Sequence, residues 1–274
     1  MNTIAQSNTT YTENGIVYPS KVMLDLADLK KVYPTPKGDY VVLEELNLQI
    51  LKEEFVTIIG HSGCGKTTML SMIAGLNSIT GGHISVLGNP VKGPGPDRGV
   101  IFQSPSLMPW MTALQNVLLG VNQVFPHATK EQRNDIAKYY LHKVGLDNAF
   151  YKKASELSQG MQQRVGIARA FAIKPKVLLL DEPFGMLDSL TRGELQDILI
   201  EIWNKEKITA VMITHDVDEA IFLADRVVMM TSGPSAKIGD ILTIDFERPR
   251  TRKSVLENDD YYTYRKHLID FLEH

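Results

Sequence analysis

The sequence predicts an α/β fold, in which a mainly parallel β-sheet is flanked by helices and interrupted by a helical subdomain. Aliphatic and β-branched runs alternate with helix-like segments between residues 55 and 88, and the alternation resumes from residue 177 to residue 230. Strands separated by helices pair in parallel, because the helix carries the chain back along the sheet. Between these regions, over residues 104–175, helical periodicity replaces the strand-like runs. That change predicts the inserted helical subdomain.

Composition and charge limit the classes of protein to which the chain can belong. The 274 residues are 43% hydrophobic and 22% charged, close to the globular average, which excludes a disordered or collagen-like chain. The net charge of -3 provides no basic surface, so no nucleic-acid partner is expected. The single cysteine, Cys64, excludes an intrachain disulfide and suits a reducing compartment. No apolar run approaches the roughly 18 residues that cross a bilayer.

The elements follow from local patterns along the chain. Residues 1–20 are rich in Asn, Thr and Ser, and we expect a flexible tail there. Two alternating strand candidates come next, and the segment 33–40 between them, with its Pro and Gly residues, is expected to be a turn-rich link. Residues 55–60, FVTIIG, are typical of a buried parallel strand. The later elements are helix 66–76, strand 83–88, strand 177–181, a helix from 189, strand 208–214, helix 216–224, strand 226–230 and a Tyr-rich helix ending the short C-terminal tail 245–274.

Helix signals in the middle of the chain support the inserted subdomain. Thr129 and Gln132 have the spacing of a capping box, in which each side chain bonds the backbone N–H of the other residue. Tyr140 and Val144 continue at helical spacing. Gly145 is expected to end this helix, because glycine adopts the left-handed conformation that terminates helices.

Residues 60–67, GHSGCGKT, match the phosphate-binding pattern G-x-x-x-x-G-K-[ST]. The backbone N–H groups of such a loop surround a β-phosphate, and the following helix N-terminus adds positive potential. Lys66 would bridge the β- and γ-phosphates, Thr67 would offer its hydroxyl to Mg²⁺, and Thr68 would reach the α-phosphate. Cys64 is interpreted as a small side chain that faces away from phosphate. The candidate nucleotide-binding residues of the loop are Gly60, His61, Ser62, Gly63, Cys64, Gly65, Lys66, Thr67 and Thr68.

Two acidic residues end the strand-like run VLLLDEP at 177–183. Asp181 stands at the carboxyl end of the strand, where α/β sheets bind their ligands, and a carboxylate there can hold Mg²⁺ through its water shell. Glu182, one residue further, would polarise the water that attacks the γ-phosphate. Two solvated acids at a strand end are common. The pair therefore indicates a nucleotide site only in combination with the phosphate loop.

Three further side chains are candidates for the same site. Tyr33 could stack on adenine, although a tyrosine in a turn is more often part of ordinary packing. Gln103 and His215 each follow an apolar strand and would emerge at the nucleotide edge of the sheet, together with Asp181. Each of the two also has an ordinary structural explanation.

The segment ELSQGMQQRVGIARAF, residues 156–171, resembles the LSGGQ signature and the following helix of ABC-type ATPases. The phosphate loop, Gln103, the segment DEPFGMLD at 181–188 and His215 occur in the order that this family has. The resemblance implies a P-loop NTPase fold of the ABC ATPase type. It would combine a RecA-like core, an antiparallel β subdomain and the helical signature subdomain. The nucleotide-binding domain would cover residues 21–244.

The resemblance also implies a head-to-tail pair of ATPase subunits with ATP and Mg²⁺ between them. Glu182 would be the general base, His215 would contact the γ-phosphate, and Gln103 would sense Mg²⁺ and couple hydrolysis to transport. Asp188, in the D-loop, would link the two sites. The signature residues that would face the partner's nucleotide are Ser158, Gln159, Gly160 and Met161.

This signature departs from the family pattern at two positions. Gln159 stands where the family has glycine, and Met161 stands where it has glutamine. The bulk of Gln159 puts in question the site that this signature completes, which in a heterodimer belongs to the partner. The nucleotide on this chain's own phosphate loop is expected to remain hydrolysable.

Residues 102–117, FQSPSLMPWMTALQNV, resemble importers of the nitrate, sulfonate and taurine type, in which Trp110 would line the groove for a membrane subunit. Residues 216–242 and 246–252 are closest to the nitrate, nitrite, cyanate and bicarbonate branch. We therefore expect an ATPase subunit that energises import of a small anion, with nitrate or nitrite favoured. Sulfonate or taurine, and bicarbonate or cyanate, are the alternatives.

The family also implies partners and a location. Transmembrane permease subunits and a periplasmic or lipid-anchored solute-binding protein are expected, with this chain peripheral on the cytoplasmic face of the inner membrane. The second ATPase would be a longer paralogue that carries a regulatory domain, or a second copy. Chromosome-maintenance ATPases share the fold, but they insert a long coiled coil where this chain has only residues 104–156.

Overall fold

The computed structural model describes residues 10–13, 16–19 and 21–273, and it has the α/β fold that the sequence predicts. The strands are β1 (Thr10–Glu13), β2 (Ile16–Pro19), β3 (Val22–Thr35), β4 (Gly38–Leu51), β5 (Phe55–Gly60), β6 (Gly81–Val86), β7 (Asn89–Pro90), β8 (Arg98–Ile101), β9 (Val177–Asp181), β10 (Thr209–Ile213), β11 (Arg226–Met230) and β12 (Ile238–Thr243). The helices are α1 (Lys66–Ile73), α2 (Ala113–Val124), α3 (Lys130–Lys143), α4 (Gln159–Ala172), α5 (Ser189–Glu206), α6 (Val217–Leu223), α7 (Arg252–Leu256) and α8 (Asp260–Glu273).

A six-stranded sheet in the order β12-β11-β5-β10-β9-β8 forms the core. Its strands pair in parallel except β12, which lies antiparallel to β11 at one edge. Successive side chains of one strand enter different apolar clusters: Phe55 and Ile59 face one side of β5, and Val56 and Ile58 face the other. Because both faces are covered, the strands are apolar throughout, which made their positions predictable.

A second sheet, in the order β4-β3-β6-β7, is antiparallel and packs beside the phosphate loop. The expectation of a turn-rich link over residues 33–40 is wrong, because β3 and β4 continue through it and only two residues separate the strands. Tyr33 pairs with Tyr40, and Pro34 pairs with Asp39 near the hairpin tip. Proline is tolerated near a hairpin end, where few ladder bonds depend on its missing N–H.

The helical subdomain contains α2, α3 and α4. The predicted capping box of Thr129 and Gln132 begins α3 and is confirmed, and Thr112 with Gln115 forms another at the start of α2. Gly145 follows α3 with a φ of 71°, the left-handed conformation expected of a helix terminator. The subdomain joins the core through the loops that follow β8 and precede β9.

The C-terminal helices pack against the core, and part of the expected N-terminal tail is described as well. Helix α8 packs near α6, where the Tyr261 hydroxyl donates to Asp218 at 2.8 Å and Arg265 Nε donates to the same carboxylate. In the expected tail, residues 10–13 pair antiparallel with residues 16–19. Residues 1–9, 14–15 and 20 lie outside the described part of the chain, so the structure does not test their expected flexibility.

None of the helices formed by the described residues is both long enough and apolar enough to span a membrane.

Candidate nucleotide site

A cavity of about 600 Å³ opens at the carboxyl ends of β5, β9 and β10. This is the edge of a parallel sheet where ligands bind, because the loops that leave the strands diverge there. The phosphate loop, the β3–β4 hairpin and the loops after β9 and β10 meet at this cavity. Its lining residues are Tyr33, Tyr40, Val42, Gly60, Ser62, Gly63, Gly65, Lys66, Thr67, Thr68, Glu182 and His215.

The phosphate loop connects β5 to α1 and leaves the helix N-terminus free for a ligand. Gly65 precedes the helix at a φ of 100°, and no side chain caps the first N–H groups. A Cβ at Gly65 would lie 2.7 Å from Leu43 Cδ2 and 2.8 Å from Val42 Cγ1. Only glycine fits both the conformation and the space, and this allows β4 to pack against the loop. The free N–H groups can therefore receive a phosphate.

Lys66 lies inside the curve of the loop. Its Nζ donates to the carbonyl oxygens of Gly60 at 2.7 Å and of His61 at 2.9 Å, and the residue is only 7% exposed. These bonds hold the ammonium at the floor of the cavity, and no carboxylate of the described residues forms an ion pair with it. A phosphate entering the loop would supply the missing opposite charge.

Two residues of the loop turn their side chains away from the cavity. Cys64 is buried, and a Cβ at Gly60 would lie 3.0 Å from its Sγ, so the thiol fills the space behind the loop. The His61 ring is exposed, with Nδ1 3.3 Å from the Ser232 hydroxyl. These two residues could contribute to phosphate binding only through their backbone.

The arrangement of oxygen donors beside the loop fits a magnesium ion. The Thr67 hydroxyl donates to Asp181 Oδ1 at 3.1 Å, although 114 residues separate the two in sequence. Burial raises the pKa of Asp181, the neighbouring Glu182 carboxylate raises it further, and the Thr67 hydrogen bond and Lys66 oppose the shift. Within the described residues, no cluster of three or more His, Cys, Asp or Glu side chains forms a metal site. A hydroxyl, one carboxylate and the oxygens of phosphate and water are the donor set that Mg²⁺ favours in such sites.

Three candidate catalytic side chains meet at Glu182. Gln103 Nε2 donates to Glu182 Oε2 at 3.3 Å, and His215 Nδ1 lies 3.4 Å from the same oxygen. Glu182 has a φ of 42°, a conformation that is uncommon for a residue with a side chain. Its N–H donates to the Ile213 carbonyl at 3.0 Å, which ties this backbone to the end of β10. The carboxylate is thus held at the rim of the cavity between an amide and an imidazole.

A buried glutamine supports this group from the helical subdomain. Gln163, in α4, donates through Nε2 to the Pro183 carbonyl at 2.7 Å and to the Phe102 carbonyl at 3.2 Å. These carbonyls belong to the residues next to Glu182 and Gln103. The sequence reasoning did not single out Gln163, because its role depends on where the loops after two distant strands meet.

Two tyrosines line the end of the cavity that faces the antiparallel sheet. Tyr33 and Tyr40 are directly opposite in β3 and β4, and the two residues are 38% and 48% exposed. Directly opposite residues in an antiparallel pair project to the same face. Tyr40 was missed by the sequence reasoning, because the two prolines concealed the strand pairing that places it there.

The signature and D-loop residues lie at the starts of two neighbouring helices. Ser158 caps α4, with its hydroxyl 3.3 Å from the Met161 N–H, and Gln159 is exposed at the first helical position. Asp188 caps α5 by accepting from Leu190 and Thr191, and the bonds to Thr191 lower the pKa of its carboxyl. A Cβ at Gly160 would lie 2.7 Å from Thr191 Cγ2, so the two helix starts pack closely. The residues that line the cavity come from other segments of the described chain.

Several known proteins have sequences similar to most of this chain. The chain is 52% identical over 249 residues to the bicarbonate transport ATP-binding protein CmpD of Synechocystis sp. strain PCC 6803, covering 91% of this chain and 88% of that protein. It is 49% identical over 242 residues to the nitrate import ATP-binding protein NrtD of Synechococcus elongatus, covering 88% of each. The bicarbonate transport ATP-binding protein CmpC of the same Synechocystis strain is 52% identical over 246 residues, which are 89% of this chain and 37% of that protein.

A solved structure shares both the fold and part of the sequence. The dimeric ATP-binding cassette MJ0796, in a post-hydrolysis state with ADP and Pi, superposes with a TM-score of 0.73. It is 30% identical and covers 82% of this chain and 100% of that chain. A family model described as ABC transporter matches residues 43–185, from the antiparallel sheet to the loop after β9. This chain therefore belongs to the ABC transporter family and is one of its ATP-binding cassettes.

Proposed function

We propose that this chain hydrolyses ATP to energise import of a small oxyanion through a membrane permease. The observation that carries the proposal is the convergence of Lys66, the Thr67–Asp181 pair and the Glu182–His215 pair on one cavity. Relatives named for bicarbonate and for nitrate match at 52% and 49% identity, so both anions are candidates. The sequence patterns alone favour nitrate or nitrite.

The geometry suggests how the residues divide the chemistry. The loop N–H groups and Lys66 bind the β- and γ-phosphates and offset their charge. Glu182 accepts a proton from a water molecule, whose oxygen forms a bond to the γ-phosphorus as the bond to the β-phosphate oxygen breaks. His215 orients Glu182 and contacts the γ-phosphate, and ADP and phosphate leave.

Thr67 and Asp181 would hold Mg²⁺, which supplies positive charge to the phosphate oxygens, and Gln103 would complete its surroundings. Gln103 already donates to Glu182, the proposed general base. The loop that it begins leads into the helical subdomain. Gln103 is therefore suited to relay the state of the nucleotide to that subdomain.

A pair of ATPase subunits would complete two such sites. The N-terminus of α4, with Ser158, Gln159, Gly160 and Met161, would face the γ-phosphate bound by the partner, and Asp188 would contact the partner across the interface. The dimeric state of the MJ0796 cassette supports this pairing. The partner is proposed to be a longer ATPase, because CmpC contains a cassette like this one in a much longer chain. A second copy of this chain is the alternative.

The helical subdomain offers a surface for the permease. Trp110 is 67% exposed, and Met108 and Tyr151 are exposed as well. Backbone bonds from Ala113 to the Lys152 carbonyl and from Ala154 to the Met111 carbonyl bring the two loops together. Exposed aromatic groups on a rigid surface are typical of binding hot spots. Docking here would place the chain on the cytoplasmic face of the inner membrane, with a solute-binding protein on the other side.

The domain limits follow from the same assignment. We propose a nucleotide-binding domain over residues 21–244, with its helical subdomain near residues 104–175, and a C-terminal tail over residues 245–274. The tail contains α7 and α8, which pack back onto the core.

The function is tested by ATP hydrolysis in a complex of this chain with its permease and second ATPase in lipid vesicles. We expect hydrolysis to rise when nitrate or bicarbonate is supplied with the solute-binding protein, and taurine, a zwitterionic sulfonate, serves as the comparison solute. Stimulation by taurine alone, or by none of the three solutes, would contradict the proposed substrate class. Absence of ATP hydrolysis under all conditions would contradict the enzymatic role.

A further inference from the structure

Two polar side chains fix the Tyr33 ring from outside the nucleotide cavity. Asn77 Nδ2 donates a hydrogen bond to the Tyr33 hydroxyl at 2.7 Å. The Lys31 ammonium donates to Asn77 Oδ1 at 3.0 Å and to the Ser78 carbonyl at 2.6 Å. The same ammonium lies 4.6 Å from the centroid of the Tyr33 ring. Lys31 therefore contacts both the ring and the amide that holds the ring's hydroxyl.

The burial of Lys31 argues against a purely structural role for this group. Lys31 is only 5% exposed, whereas lysine is rarely buried without a charged partner. An apolar side chain could fill the same space without the cost of removing an ammonium from water. What the ammonium adds is the cation–π contact with Tyr33 and the orientation of Asn77.

Strand and loop geometry bring the three residues together. Lys31 and Tyr33 are two residues apart in β3 and project to the same face. Asn77 belongs to the segment between α1 and β6, which bonds to β3 through Thr80 and the backbone of Val32. The segment that follows the phosphate-loop helix therefore reaches the aromatic end of the cavity.

We infer that Lys31 and Asn77 are positioning residues, which hold the Tyr33 ring in place to stack on the nucleotide base. This inference rests on the proposed nucleotide site. Tyr33 lines the cavity, whereas Lys31 and Asn77 contact its ring and hydroxyl and do not line the cavity themselves. An exposed aromatic side chain with no such contacts samples several rotamers and loses that freedom on binding. Fixing the ring beforehand removes part of this loss.

The test compares ATP with inorganic tripolyphosphate, which has the phosphates but no base. Dissociation constants are measured by calorimetry for the wild type, Asn77→Ala and Lys31→Met. We expect each variant to weaken ATP binding by about threefold to tenfold, the range for one lost hydrogen bond or cation–π contact. Tripolyphosphate affinity should remain at the wild-type value, because the phosphate loop is intact.

A double-mutant cycle separates positioning from general stability. Tyr33→Phe keeps the ring and removes the acceptor, so Asn77→Ala should cause no further loss in a Tyr33→Phe background. Asn47→Ala is the matched control, because Asn47 bonds to Asp28 in the same sheet and does not contact Tyr33. It should bind ATP like the wild type.

Distinct outcomes overturn the inference and the proposed function. Equal loss of ATP and tripolyphosphate affinity in Asn77→Ala would show a general structural effect, and unchanged ATP affinity would show that the contact is irrelevant to the base. Additive effects in the cycle would also overturn the inference. A wild-type chain that binds neither ligand would remove the proposed nucleotide site, and the inference with it.

Discussion

At the scale of single residues, the position of Glu182 depends on contacts from several segments. Its backbone is held in the left-handed region by a bond to the end of β10, and its carboxylate lies between Gln103 and His215. Strained backbone of this kind is stable only where the surroundings enforce it, and it is frequent at catalytic positions. The position of this carboxylate is therefore a property of the assembled site.

Glu182→Gln is predicted to abolish most ATP hydrolysis at the site on this chain's own phosphate loop and to leave nucleotide binding there nearly unchanged. The amide has the shape of the carboxylate but cannot accept the proton of the attacking water. We expect turnover at the site on this chain's own phosphate loop to fall by about 100-fold to 10,000-fold. The dissociation constant for ATP should change by less than about threefold, since the phosphate contacts remain.

Glu194→Gln is a suitable control for that measurement. Glu194 is an exposed glutamate in α5 that pairs with Arg164 and lies outside the cavity lining. It should hydrolyse ATP at the wild-type rate. A Glu182→Gln complex with normal turnover would show that another group accepts the proton.

At the scale of elements, the sequence predicted those parts of the site that follow buried strands. Asp181, Glu182 and His215 follow apolar runs that could only be central strands, and parallel strands bring their carboxyl ends to one edge. Tyr40, Lys31 and Asn77 could not be found in this way. Their meeting depends on the register of β3 with β4 and on a loop 46 residues away from Lys31.

The edge strand of the six-stranded sheet was also not predicted from the sequence. Strand β12 has a half-exposed pattern and was absent from the predicted elements, because an edge strand lacks the continuous apolar run of a central one. The central strands β9, β10 and β11 were placed correctly for the opposite reason. Local pattern is thus informative where both faces of a strand are buried and weak where only one face is covered.

Helices α5 and α6 are joined by a buried carboxyl group whose ionisation should affect stability. Gln196 donates to Glu219 at 2.6 Å, and burial raises the pKa of Glu219 above its usual value of 4.5. The folded protein therefore binds this proton more tightly than the unfolded chain does. The free energy of unfolding should fall as pH rises from about 4.5 through the folded pKa.

Glu219→Gln is predicted to reduce this pH dependence. The amide is neutral at every pH, and its carbonyl oxygen can still accept from Gln196. Urea unfolding at several pH values should show the variant gaining stability relative to wild type as pH rises through that window. Glu257→Gln, at an exposed position in the C-terminal tail, should follow the wild-type curve. Parallel curves for Glu219→Gln and wild type would contradict the prediction.

At the scale of the whole molecule, the exposed surface around Trp110 is predicted to bind the permease. Trp110→Ala should weaken co-purification with the permease by about 30-fold or more, as expected for loss of an aromatic hot spot. ATP binding by the isolated subunit should be unchanged, because Trp110 does not line the cavity. Tyr139→Ala removes an exposed aromatic from α3 of the same subdomain and should co-purify normally. Equal loss in both variants would indicate a general effect on the subdomain.

The signature residues are also proposed to act beyond their own chain, on the nucleotide bound by the partner. Gln159 is exposed at the start of α4, where its side chain would lie between the helix N–H groups and the γ-phosphate on the partner. Gln159→Gly would let that N-terminus approach more closely. We therefore expect the site on the partner's phosphate loop to turn over about twofold to tenfold faster, equivalent to at most about 1.4 kcal/mol of barrier.

This effect can be measured separately from the site on the chain's own loop. ATP hydrolysis is followed in complexes that carry Glu182→Gln, so that the remaining turnover comes from the partner's loop. Adding Gln159→Gly to such a complex should raise the residual rate, whereas Gln162→Gly in the same helix should not, because the Gln162 side chain bonds its own helix start at the Leu157 carbonyl. If Gln159→Gly leaves the residual rate unchanged, the glutamine does not limit turnover at that site.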